Sequence, residues 1–428
     1  MKQFARHLDQ LERREFLAGV AKLSLGVSIL PEFIGRTSAA AGTQPVKGLP
    51  STAKNIIFVY MSGGMPHVDT FDPKTDSEVK GQSSPIKTKT PGIQISNFLP
   101  ALAKQTDKLA IIRSMSTKTG DHAGGNYLMH TAFKRRSGTS HPQLGSWAQH
   151  FLGRPSKSMP ASVIVSGGNP GPGFFPPDHS PFPIGDPNKG IRDLLPKIDP
   201  KTFNNRITLA RKFGRVFEER FPTGDVKAYS QFYDETVKFF DSSTVNAFDI
   251  SKEPRTIRER YGESKFARGL LLARRLVEHN VRYVEVQLGG WDQMHNSLEA
   301  GQRKSAELDA PFAALISDLD AKGLLKETMV VLTTEFGRTP KISNRGGRNH
   351  FPKAFSAVLA GGGVNGGQFI GQTDAKASTI KGDKFGPEDL HKTIAHALGL
   401  PIDERIHGSG GRPFFVGNRG KVIQQAFS

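Results

Sequence analysis

The sequence predicts a doubly wound, largely parallel α/β sheet flanked by helices, and three observations predict it. Short continuous apolar runs such as Ile56–Tyr60 recur along the chain, as strands covered on both faces require. Segments with helical spacing alternate with those runs, the order that produces crossover connections between parallel strands. Several runs end in glycine and then in His, Asp or Glu, at the strand ends where open α/β sheets gather their ligands.

The elements follow in order. After a polar lead, Ile56–Tyr60 is the first strand; residues 97–109 read as a helix and AIIRSM as the second strand. HPQLGSWAQHFLG reads as a helix closed by Gly153, and PASVIVSG as the third strand. Residues 167–190 are too rich in Gly and Pro for a regular helix or a central strand. They read as a surface excursion, either a lid carrying Phe174, Phe175 and Phe182 or a passive loop. Helical patterns from 202 to about 260, broken at Pro222 and Gly224, form a helical insertion. The sheet pattern then returns. SKFARGLLLARRLVEHN is a helix, VRYVEVQLGG a strand, 303–325 a helix with Leu308, Phe312, Leu315 and Leu319 on one face, and TMVVLTTEFGR a strand. AFSAVLAGGG is a further strand, and EDLHKTIAHALGLP a helix ended by Gly399 and Pro401. AGGGVNGG lacks the Lys and Ser or Thr of a nucleotide P-loop and reads as a tight turn bringing backbone close to the site.

Composition narrows the chemistry. The chain has no cysteine, so thiol catalysis, disulfides and thiolate metal sites are excluded. A tight metal site must use His, Asp, Glu or neutral oxygen donors. Net charge is +18, which favours acidic partners such as anionic polysaccharide, nucleic acid or anionic membrane. The basic residues are dispersed and no nucleic-acid-binding motif accompanies them, so no specific nucleic-acid partner is expected.

The first 41 residues have the order of an export leader. Arg13 and Arg14 precede an apolar segment, Phe16–Leu30, and TSAAA supplies small residues for cleavage after Ala41. This resembles a twin-arginine signal. The apolar segment is interrupted by Lys22 and is shorter than the roughly 20 residues a bilayer span needs. Six basic and four acidic residues lie in 1–41, so residues 42–428 keep a charge of +16. The expected organisation is a removable signal, 1–41, followed by a single α/β domain, 42–428, acting in the periplasm or outside the cell.

Candidate site residues stand at three strand ends and, in a fourth group, just before a further apolar strand. GGMPHVDTFD carries His67, Asp69 and Asp72; GGWDQMH carries Asp292 and His295; TTEFGR carries Glu335 and Arg338; GGRNHFP carries Arg348 and His350. A carboxylate and imidazole set is what a metal site needs when thiolate is absent. Arginine offers a fixed fork of donors for an oxyanion. These motifs, with GDHAGGNYLMHT and AGGGVNGG, resemble the bacterial family called domain of unknown function 1501, which is itself similar to the alkaline phosphatase and sulfatase superfamily.

The resemblance implies a metal-dependent hydrolase of phosphate or sulfate esters. Its implied metal ligands are Asp292, His295, His350 and Glu335, with His67 and Asp69 contributing from the first loop. Asp292 and His295 are separated by two residues where the superfamily has one. Gly63 stands where the superfamily places a metal-binding aspartate, and Phe336 where it places a histidine. His122 falls at the nucleophile's position and is the candidate nucleophile or base; Arg338 and Arg348 are candidate anion clamps. The implied cofactor is a divalent metal, zinc first, as one or two ions, and the implied partner an anionic ester, polysaccharide included. Two other readings stay open: a secreted or cell-envelope binding protein that kept the fold without catalysis, and a protein whose metal is purely structural. Replacing Arg13 and Arg14 together by lysine is expected to leave the unprocessed chain in the cytoplasm, read by fractionation and by the mass of the exported form; unchanged export would remove the twin-arginine reading.

Overall fold

Strand β1 (Asn55–Met61) is buried along its whole length and sends alternate residues to opposite faces of a sheet. Ile57, Val59 and Met61 join one apolar layer, and Ile56, Phe58 and Tyr60 the other. This strand belongs to a computed structural model that describes residues 51–156, 159–168, 171–189, 191, 199–220, 243–292 and 297–428. The leader expected over 1–41 lies outside the described residues.

Seven further strands complete the main sheet: β2 (Leu109–Met115), β3 (Ser162–Val165), β4 (Phe182–Ile184), β5 (Tyr283–Leu288), β6 (Thr328–Thr333), β7 (Phe355–Ala360) and β8 (Gln368–Ile370). Their spatial order is β8-β2-β7-β6-β1-β5-β3-β4. Every strand runs in one direction except β7, which is antiparallel to both β2 and β6. The sheet is therefore mixed, and parallel through its centre.

The helices are α1 (His122–Thr131), α2 (Leu144–Leu152), α3 (Pro200–Arg220), α4 (Arg255–Tyr261), α5 (Lys265–Glu278), α6 (Ser297–Ala321) and α7 (Pro387–Ala397). One face of the sheet packs on α5 and α6, where Leu308, Phe312, Leu315 and Leu319 are fully buried as their spacing predicts. The other face packs on residues of α2 and α7. Ser264 caps α5 by accepting from the Ala267 amide, and Gly153 ends α2 at a positive φ.

Three expectations change. Residues 97–109 form only a short 3-10 turn, Leu102–Lys108, whose entry is held by the Asp309 carboxylate accepting from the Ala101 and Leu102 amides at 2.8 Å each. The excursion at 167–190 supplies an edge strand, β4, where Pro183 costs no ladder bond on the open side. Phe174 and Phe175 are buried against Trp147 and belong to the core, so they form no lid. The glycines of AGGGVNGG follow the antiparallel strand β7 and turn at the far end of the sheet: Gly361 lies against the carbonyls of Leu325 and Thr328. Of the helical insertion expected from 202 to about 260, α3, two 3-10 turns and α4 are described, and residues 221–242 lie outside the described residues.

Burial lowers the imidazoles of His141, His150 and His391 from 6.5 to about 4. His391 Nε2–H donates to the Met129 carbonyl at 2.6 Å. The folded state holds fewer protons than the unfolded chain between those values, so stability falls as pH drops from about 6.5 toward 4. Thermal melting against pH is expected to show this fall, and His391→Gln to flatten it; an unchanged slope in the variant would assign the acid sensitivity elsewhere.

Candidate metal centre

Chain direction decides which residues meet. The parallel strands β1, β5 and β6 deliver Gly63, Asp292 and Glu335 to one edge of the sheet, since Met61 pairs with Leu288 and Tyr60 with Thr333. Strand β7 runs the other way, so its approach rather than its exit lies at that edge; Phe355 pairs with Met115. His350, just before β7, therefore joins the residues that follow the parallel strands. A two-residue ribbon ties His350 to Arg338 and Phe351 to Gly337. Strand β2 ends at the same edge and leads to α1, which begins at His122 and is capped by Asp121 accepting from the Gly124 amide at 2.7 Å.

Two glycines let these pieces close up. A Cβ at Gly63, where φ is +113°, would lie 2.4 Å from the Asp292 backbone nitrogen. One at Gly125 would lie 3.0 Å from Glu335 Cβ and 3.2 Å from the Phe336 ring, so Gly125 brings the helix carrying His122 onto the end of β6.

The buried Glu335 carboxylate organises the site. Oε1 accepts from the Gly63 amide at 2.8 Å and lies 2.7 Å from His122 Nδ1; Oε2 accepts from Tyr60 Oη at 2.9 Å and from Thr334 Oγ1 at 3.1 Å. Burial raises this carboxyl, yet the donors from His122, Gly63 and Tyr60 outweigh it and hold the group below the usual carboxylate range. An ionised Glu335 fixes the proton of neutral His122 on Nδ1. Nε2 of His122 is then a lone pair, buried, without a hydrogen-bond partner, and 3.2 Å from Asp292 Oδ2. His350 repeats the arrangement. Its Nδ1–H donates to the Gly120 carbonyl at 2.8 Å, leaving Nε2 3.4 Å from Asp292 Oδ1.

Two imidazole lone pairs and a carboxylate facing one another repel unless a cation lies among them. The three ligand atoms lie within 4.8 Å of one another, and among the described residues this is the one such cluster. The donor set and the orphaned His122 nitrogen both fit a divalent ion. Without metal, the hydrogen bond to Glu335 and the charges of Glu335 and Asp292 favour the protonated form of His122 and raise it above the ordinary imidazole value, against burial.

The nominated residues divide between this cluster and its supports. His122, Asp292 and His350 form the cluster. Glu335 stands behind His122 instead of joining it. Phe336 is fully buried and packs on both imidazoles, with ring centroids 5.0 Å from His122 and 4.8 Å from His350. Arg338 is no free clamp: Nη2 donates to Asp292 Oδ1 at 2.7 Å and to the Gly63 carbonyl, Nε to the Gly64 carbonyl and Nη1 to the Arg348 carbonyl. Arg348 is buried in a two-bond pair with Asp69, at 2.9 and 2.8 Å, and caps the carbonyls of Val79, Thr339 and Pro340. A guanidinium that deep needs such partners, so neither it nor Asp69 is placed for a ligand. His67 Nε2–H donates to the Ala377 carbonyl at 3.0 Å, and Asp72 pairs with Lys74 at 2.8 Å. The first loop is thus stitched to later segments rather than to the cluster. His295 lies outside the described residues.

Tyr60 and Asn126 were not nominated. Asn126 donates to the His122 carbonyl at 2.8 Å, and its Oδ1 is also within reach of Tyr60 Oη. Tyr60 reads as core within an apolar strand, but Asn126, four residues after His122, shares its helix face, a signal the spacing carried.

The family model described as "Protein of unknown function (DUF1501)" matches residues 53–427. The chain belongs to that family. A comparison with curated proteins finds no match. Among solved structures, the chain is similar to the lipoteichoic acid synthase LtaP from Listeria monocytogenes, at 10% identity and a TM-score of 0.37, covering 90% of this chain and 79% of that one. It is similar to Ps i-CgsB in complex with k-i-k-neocarrahexaose, at 9% identity and a TM-score of 0.39 over 82% of this chain and 72% of that one. It is similar also to alkaline phosphatase from the Antarctic bacterium TAB5, at 11% identity and a TM-score of 0.31 over 75% of this chain and 95% of that one.

Glu335→Gln is expected to weaken divalent-metal affinity about 10–100-fold, because the amide cannot hold the His122 proton on Nδ1 as strongly. Affinity of the unaltered protein should fall as pH drops below the raised His122 value, since the proton and the metal compete for Nε2. Metal titration at several pH values checks both; equal affinity in the variant, or pH-independent binding, would contradict them.

Proposed function

We propose that this protein is an exported, metal-dependent hydrolase of anionic phosphate or sulfate esters, built on an α/β unit of alkaline phosphatase and sulfatase type over residues 42–428. The observation that supports it most is the convergence of His122 Nε2, His350 Nε2 and the Asp292 carboxylate with both Nδ1 protons committed elsewhere. A divalent ion bound there, zinc first, would supply Lewis acidity toward an ester oxygen and lower the pKa of water.

This chain's own residues supply orientation and access. Glu335 holds the Nδ1 proton of His122, Arg338 fixes one oxygen of Asp292, and Phe336 walls one side with apolar surface. The other side opens to solvent: the Asp292 side chain is 46% exposed and that of His122 30%. An open approach supports a catalytic over a purely structural ion. We assign His122 to the ligand set rather than to the nucleophile or base, because both of its nitrogens are then engaged; water attacks phosphorus or sulfur as the bond to the ester oxygen breaks, and the proton that water gives up is balanced by one the leaving oxygen takes from solvent to depart as the alcohol. His295, three residues after Asp292, is proposed as a further ligand. One ion is proposed for the cluster found among the described residues.

One observation favours a second reading, a non-catalytic exported binding protein: every nitrogen of Arg338 and of Arg348 is already engaged within the protein, leaving neither as an anion clamp. Elemental analysis of metal-replete protein, followed by assay against phosphate monoesters, phosphate diesters and sulfate esters, separates the two. The hydrolase is expected to hold one equivalent of metal and turn over at least one ester class, and Asp292→Ala to lose metal and activity together. Bound metal with no turnover would favour the binding protein, and absence of metal would overturn both the ion and the chemistry.

A further inference from the structure

We propose that helix α3 docks this protein on the surface of an anionic lipid membrane. Among the described residues, the exposed large hydrophobic side chains are Leu209, Phe213 and Val216, at 53%, 53% and 57% exposure. All three belong to α3. At about 100° per residue they fall within roughly 60° of arc, a single stripe along the helix. Ile207 and Ala210 are buried and lie about 100° to 160° around the helix from Leu209, so the stripe is separate from the buried face of α3.

Charge identifies the partner. The helix PKTFNNRITLARKFGRVFEER carries six basic residues and two acidic ones. Arg206 and Lys212 are exposed and lie about 60° to either side of Leu209, flanking the stripe, and Arg215 is exposed beyond Lys212. A sulfated glycan or a nucleic acid would use those cations but leave the apolar stripe in water. An anionic lipid surface takes both, the apolar side chains at the acyl boundary and the cations among the headgroups. With 21 residues, α3 is about 31 Å long and lies along such a surface; no helix of the described residues is long and apolar enough to cross a membrane. The remaining charge of +16 over residues 42–428 draws the protein toward the same surface.

The test is co-sedimentation of the full chain with vesicles of phosphatidylcholine alone and of equal phosphatidylcholine and phosphatidylglycerol. The unaltered chain is expected to bind the mixed vesicles, and to release in high salt. Leu209→Ser/Phe213→Ser/Val216→Ser should reduce the bound fraction about 10-fold or more with melting temperature unchanged, and Arg206→Gln/Lys212→Gln/Arg215→Gln should abolish the preference for anionic vesicles. Binding to neither vesicle overturns the proposal. So does binding unchanged in both variants, which would place the contact on the leader or another surface. A dimer that the serine variant converts to monomer would make the stripe a self-association face. A serine variant that fails to fold would make it core against residues 221–242 of the same chain. Either result also overturns the proposal. None of these outcomes depends on ester turnover or metal content.

Discussion

The bond between the buried Glu335 carboxylate and His122 is the interaction on which the rest of the site depends. One oxygen of Glu335 receives both the Gly63 amide and His122 Nδ1, so the same atom joins the exit of β1, the exit of β6 and the start of α1. A carboxylate at that depth is tolerable only when its lone pairs are filled, and stripping a buried charge of a partner costs on the order of 3–5 kcal/mol. The donors from Tyr60 and Thr334 complete that set. The consequence is chemical as well as structural: whenever His122 is neutral its proton stays on Nδ1 and its second nitrogen faces Asp292 as an acceptor, an arrangement set by the hydrogen bonds of one glutamate.

The second constraint is chain direction. Had β7 run parallel to its neighbours, the residues before it would lie at the opposite end of the sheet from Asp292 and Glu335. Its reversal puts His350 in the cluster and sends the glycine-rich turn at 360–367 to the far end. That turn serves close packing of backbone, with Gly362 against Met329 and Gly363 against Thr52, and has no access to the cluster.

Much of this was legible in the sequence, and the failures have physical causes. Apolar runs and helical spacing located β1, β2, β3, β5, β6 and β7 together with α2, α5, α6 and α7, because each buries a continuous or periodic face. Polar residues after two strands and before a third pointed to Asp292, Glu335 and His350, of which Asp292 and His350 meet in the cluster and Glu335 bonds His122 behind it. What spacing could not reveal was which polar groups pair with one another. Asp69 and Arg348 are 279 positions apart and neutralise each other in the interior, which no local pattern announces. His67 bonds a carbonyl 310 residues away. Strand direction is equally silent in a run such as FSAVLA, where every residue is buried and both orientations give the same apolar pattern. Gly63 is the clearest case: where the resemblance implies a carboxylate stands a residue whose missing side chain admits the backbone of Asp292, so the carboxylate in the cluster comes from the loop after the neighbouring strand.

The central claim is that one divalent ion is held by His122, Asp292 and His350 with Glu335 behind His122. Anomalous scattering at the zinc edge from crystals of the zinc-loaded protein measures this directly. The account predicts one peak, about 2.0–2.1 Å from Nε2 of both histidines and about 2.0–2.2 Å from an Asp292 oxygen, with the Glu335 bond to His122 Nδ1 retained. No peak at those atoms, or a peak at which Glu335 itself is a ligand, would contradict it.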